Sequence, residues 1–176
     1  MSSNFVSFPP AKPELFLVGF RLDPSVEDAQ FYTLVMLQDG EEKPLLVDGR
    51  LVFFRRLDAA ARALAQAPEE FRNAQTPPAD MELLCDLAQA LYVINTQESD
   101  EEGVLLDCIA CLDTLVRATG LSVPLEYGRT LATLSGHLEK SGELTQWLAS
   151  GELRREQVED ALLWCIGAIA CKSRWL

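Results

Sequence analysis

Gln75-Thr76-Pro77-Pro78 is the stretch on which the fold turns. Upstream of it, apolar residues fall in short runs separated by Gly, Asp and Pro. Downstream they recur at helical spacing almost to the last residue. The charge divides at the same place. Residues 1–79 hold 8 Lys and Arg against 11 Asp and Glu, whereas residues 80–176 hold 7 against 16, so most of the net charge of −12 sits on the helical part.

Working upstream, Leu51-Val52-Phe53-Phe54 and Leu45-Leu46-Val47 flank Asp48-Gly49. Asp-Gly suits a type I′ hairpin, because both central residues need a positive φ. Pro44 confines its strand to a start or an edge. Phe31-Tyr32-Thr33-Leu34-Val35-Met36-Leu37 is a further strand, stopped at Asp39-Gly40-Glu41-Glu42. Leu15-Phe16-Leu17-Val18-Gly19-Phe20-Arg21-Leu22 is another, stopped at Asp23-Pro24. After the fourth strand, Asp58 is placed to cap an Ala-rich helix, and Pro68 opens a short turn of helix. The first 75 residues therefore predict a small antiparallel sheet of three to four strands with a helix on one face. A sheet this small needs further apolar cover, and the helical half is expected to supply part of it.

Downstream, the spacing predicts a helix over 79–97 with Leu83, Leu84, Leu87, Leu91 and Ile94 on one stripe. A second starts at a capping box, Ser99-Asp100-Glu101-Glu102, and buries Leu105, Cys108, Ile109, Leu112, Leu115 and Val116 before Gly120. A third runs from Pro124 to Lys140, a short piece covers 143–149, and a last helix covers 153–171. The last is apolar all round over 161–170, which suits the centre of a bundle or an intersubunit contact. The fold class is α+β: residues 1–75 form the sheet-plus-helix module, packed on an acidic bundle of four to five helices over 76–176 with which it shares a core.

Composition excludes several function classes. A pI near 4.5 with scattered basic residues argues against nucleic-acid binding, which draws on clustered Lys and Arg. The longest apolar run, ten residues, is half of the roughly 20 that cross a bilayer. The start of the chain has no secretory pattern, so a cytoplasmic protein without membrane contact is expected. Five cysteines, each inside an apolar helical segment, read as reduced core thiols.

No motif carries recognisable chemistry. Cys108-Ile-Ala-Cys111 has metal or redox spacing, but it lies in mid-helix without a second pair, so it reads as core packing. His137 is the only histidine; Ser135, Cys108 and Asp113 could join it in a nucleophilic arrangement, but no signature sequence accompanies it. The run Glu98-Ser99-Asp100-Glu101-Glu102 lacks the ligand spacing of a calcium loop and reads as capping and solvation. Phosphate-binding glycine loops are missing. No catalytic, cofactor-binding or metal-binding residue is assigned. Among the three tryptophans, Trp147, Trp164 and Trp175, the last sits in a tail expected to dock back on the protein.

These readings lead to a non-enzymatic protein–protein interaction module. It would bind a protein partner through its acidic helical surface, or a second copy as a homodimer through its last helix. The alternative is a small-molecule-binding protein or enzyme with a pocket between sheet and bundle, its polar groups drawn from Arg21, Tyr32, Tyr127, Arg129 and His137.

Overall fold

The computed structural model describes residues 13–73, 78–96, 103–141 and 144–176. Gln75, Thr76 and Pro77, and the Ser99 to Glu102 capping box, lie outside the described residues. The architecture is α+β, with a curled sheet at the N-terminal end and helices towards the C-terminus.

β1 (Glu14–Arg21) pairs antiparallel with β2 (Phe31–Gln38), running from Glu14 opposite Leu37 to Phe20 opposite Phe31. β2 in turn pairs with β3 (Glu41–Pro44). The turn between them is Asp39-Gly40, with φ of 53° and 81°. It is the same turn chemistry as Asp48-Gly49 (53° and 71°), which joins β4 (Leu46–Val47) to β5 (Arg50–Phe53). Glu41 and Glu42 thus begin a strand rather than ending one. Their exposed charges suit an edge, and Pro44 closes that edge strand.

Two further strands come from the helical half, and both pair in parallel. β6 (Leu83–Asp86) lies beside β1, with Val18 opposite Leu83 and Arg21 opposite Asp86. This corrects the helix expected over 79–97: Leu83 and Leu84 belong to a strand, and α3 occupies only Leu87–Thr96. The switch is set at Asp86. Its Oδ1 accepts the Gln89 backbone N–H at 3.0 Å, which satisfies a donor in the helix's first turn. The second strand, β7 (Ser173–Trp175), pairs with β5 at the end of the chain. The strand orders are β3-β2-β1-β6 and β4-β5-β7, joined where Tyr32 and Phe54 exchange backbone hydrogen bonds at 2.8 and 3.0 Å.

Alternation along β1 and β2 sends residues to two different cores. Leu15, Leu17, Leu34 and Met36, with Val52 and Phe54, pack against Ala59, Ala60, Ala63, Leu64 and Phe71. That cover comes from a 3-10 turn at Leu57–Ala59, α1 (Ala60–Ala65) and α2 (Glu69–Arg72). Asp58 does not cap it; its carboxylate pairs with the exposed Arg56 instead. Gly19, in mid-strand, leaves room for Met81 and Ala29, which a Cβ there would strike.

Val18, Phe20 and Val35 face the other way, into a cluster with the helices. α4 (Val104–Ala118) follows Gly103, whose φ is 69°, and stops before Gly120 at 72°. α5 (Leu125–Ser141), α6 (Thr145–Ala149) and α7 (Arg155–Cys171) complete the chain. α7 packs on α3, α4 and α5. Among the described residues no helix is long and apolar enough to cross a membrane.

Not every cysteine is a core thiol. Cys85, Cys108 and Cys165 are buried, but Cys111 is half-buried and Cys171 is exposed. Burial, followed by the nearby Asp113 charge, pushes the Cys165 thiol from 9.0 up to about 11. A folded pKa above the unfolded one gives stability that is fully present below about pH 9 and is lost as pH rises towards 11. The urea midpoint is therefore expected to fall across that window. Because Lys and Tyr titrate there too, the check is the comparison with Cys165→Ala, whose midpoint should fall less steeply.

Candidate functional site: an acidic cleft between sheet and helix

The sheet face that looks towards the bundle is only partly filled. Between β1, β2, β6 and α4 lies a cavity of about 390 Å³, within the range of ligand sites. Its walls are apolar: Phe16 and Val18 from β1, Val35 and Leu37 from β2, Leu83 and Leu84 from β6, and Leu115 from α4. The polar Thr33 on this wall is satisfied internally, donating its hydroxyl to the Val52 carbonyl at 2.8 Å.

Every charged residue lining the cavity is acidic. They are Glu42 on β3, Glu82 just before β6, and Asp107 in the first turn of α4. Two are held in place. Glu82 Oε2 accepts the Leu17 backbone N–H at 3.0 Å, while the Glu82 N–H donates to the Leu17 carbonyl at 3.0 Å, extending the β1–β6 ladder. Thr114 on α4 donates to Glu42 Oε2 at 3.0 Å, tying helix to edge strand. Asp107 is exposed, at the positive end of its helix. Beyond Leu37, Glu42 and Thr114 the cleft continues into a shallower hollow whose cations are Lys43 and Arg117. Lys43 donates to Gln38 at 3.2 Å, and Arg117 pairs with Asp113.

Three thiols meet at the cleft. Cys85 Sγ lies 3.7 Å from Cys108 Sγ, and Cys85 and Cys111 line the cavity. Hydrogen bonding to Cys108, then to Cys111, together with burial, holds the Cys85 thiol well above the ordinary cysteine range. Among the described residues no group of three or more His, Cys, Asp or Glu is arranged to hold a metal ion.

The polar residues suggested by the sequence are not brought together in this cleft. Arg21 donates through Nε to Asp86 at 2.9 Å. Tyr32 stacks on Phe54 and donates its hydroxyl to the Ala29 carbonyl. Tyr127 packs by Trp164, and Arg129 is exposed on α5. The His137 ring lies flat on Trp147, with centroids 4.3 Å apart. Two of its suggested companions are engaged elsewhere, Cys108 with Cys85 and Asp113 with Arg117. Trp175 docks against Phe31 and Phe53, as expected of the tail.

The cleft therefore presents carboxylates over an apolar floor. That combination suits a cation carried on an apolar stem, since neither feature alone would hold such a group against water. No protein family, curated protein or solved structure matches this chain.

Proposed function

We propose that this protein is a cytoplasmic, non-enzymatic interaction module, and that its binding face is the acidic cleft, which takes Arg or Lys side chains from a segment of a partner protein. The supporting observation is the lining itself: three carboxylates, no cation and an apolar floor in one cavity. Arg and Lys pair an apolar stem with a charged head and match it along their length. The net charge of −12 adds long-range attraction for a basic partner. The test is titration with a blocked peptide of alternating Arg and Leu. Binding should weaken about tenfold in Glu42→Lys/Asp107→Lys and fall with added salt. Equal affinity for wild type and variant would sink this reading. Glu82 is left intact because it also holds the β1–β6 ladder.

The volume of the cavity favours one second reading, a free lipophilic amine in the same place. A primary alkylamine that saturates the protein and displaces no peptide would separate the two. Self-association through α7 has less to build on. Of its apolar run, only Leu163, Gly167 and Ala170 are exposed.

A further inference from the structure

We propose that Cys85 and Cys111 are a dithiol oxidation site at the cleft, which reduces a small cationic disulfide and closes a Cys85–Cys111 bond. This inference stands apart from the binding reading, because it needs only the thiols and the charge around them.

The geometry places three thiols from two elements against one another. Cys85 comes from β6, while Cys108 and Cys111 come from successive turns of α4. Cys85 lies 3.7 Å from Cys108, and Cys85 and Cys111 line the same cavity. Access separates the two helix thiols. Cys108 is fully buried, whereas Cys111 is half-buried and lines the cavity. A reagent in the cleft therefore meets Cys111 first. Cys108 is closed off from the cavity, so Cys85 is the other thiol that lines it. Coming from a different element but opening on the same cavity as Cys111, Cys85 is the partner that can resolve it.

The surroundings choose the reagent. Thiols at Glu42, Glu82 and Asp107 lack the cationic neighbours that draw in anionic oxidants. The same carboxylates concentrate a cationic reagent. In the first step the Cys111 thiolate attacks one sulfur of R–S–S–R. The S–S bond breaks, and RS⁻ leaves and takes up the proton that Cys111 released. In the second step Cys85 attacks the Cys111 sulfur of the mixed disulfide. A second RSH leaves with the proton from Cys85. The two cysteines lose two electrons between them, and the reagent gains both. Hydrogen bonding to its neighbouring thiols, Cys108 first, and then burial favour the protonated form of Cys85, so the second step is the slower one and speeds up as pH rises.

The experiment uses the full chain carrying Cys171→Ser, which removes the exposed thiol. It is incubated with cystamine, or with oxidised glutathione as the anionic counterpart. Cystamine should remove two titratable thiols, leave no adduct, and give a peptide map joining Cys85 to Cys111. It should react about fivefold or more faster than oxidised glutathione at low ionic strength, with the gap narrowing in salt. Cys111→Ser should abolish the reaction, and Cys85→Ser should stop it at a cysteamine adduct on Cys111. The proposal is overturned by retention of all thiols, by a bond mapped to any other pair, or by equal rates with the two reagents.

Discussion

Asp86→Ala is expected to lower folding stability by about 2–4 kcal/mol, read as a drop in the urea midpoint with an unchanged slope. One carboxylate serves two structures. Oδ1 accepts both the Arg21 Nε–H at 2.9 Å and the Gln89 N–H at 3.0 Å, and Oδ2 lies 2.5 Å from Arg21 Nη2. The pair is largely shielded, its side chains keeping 19% and 12% of their exposure. Hydrogen bonding to Asp86 raises the Arg21 pKa; the guanidinium needs no such help to remain charged, so it stays a cation when its partner is removed. The loss then combines a helix cap, about 1 kcal/mol, with the cost of an unpaired, partly buried cation. Asp86→Asn keeps an acceptor for Gln89 and should lose less. Arg21→Met/Asp86→Ala should be less destabilised than the sum of the single variants, because no orphan charge remains. Strictly additive effects would show that the two groups act separately.

Asp86 also shows why the sequence is legible in some places and opaque in others. The hairpin at Asp48-Gly49 is readable because a dipeptide with a backbone requirement sits between two apolar runs. The same dipeptide at Asp39-Gly40 is masked by the charged residues after it. Glu41, Glu42 and Lys43 look like a loop until β2 supplies the hydrogen bonds that make them an edge strand. Leu83 and Leu84 fall on the stripe of the helix that begins at Leu87. Periodicity cannot separate a four-residue apolar strand from the start of a helix, and only pairing with β1 decides it. The cleft is out of reach for a related reason. Its acids come from residues 42, 82 and 107 and its floor from β1, β2, β6 and α4, so no local spacing joins them. Cys108 and Cys111 stand out by their spacing. Cys85 does not, because periodicity places it in a helix.

Phe53→Ala is expected to be the other large loss, about 3–5 kcal/mol. The ring is 2% exposed and touches Phe20, Phe31 and Trp175, with centroids 5.5, 5.5 and 5.6 Å away. Truncation leaves a cavity where β1, β2 and the end of the chain converge, and those strands are too fully hydrogen-bonded to collapse into it. Trp175→Ala should cost less, about 1–2 kcal/mol, because 54% of the residue is already exposed. The informative quantity is the coupling between the two. Phe53 accepts the Leu176 N–H at 3.0 Å, and Leu51 donates to the Lys172 carbonyl at 2.8 Å, so backbone pairing holds β7 in register whatever the rings do. If ring packing adds to that pairing, the double variant should fall short of the sum by about 0.5–1.5 kcal/mol. A coupling near zero would mean that the parallel β5–β7 ladder alone retains the tail. The indole would then be a cover over the aromatic cluster rather than a member of it.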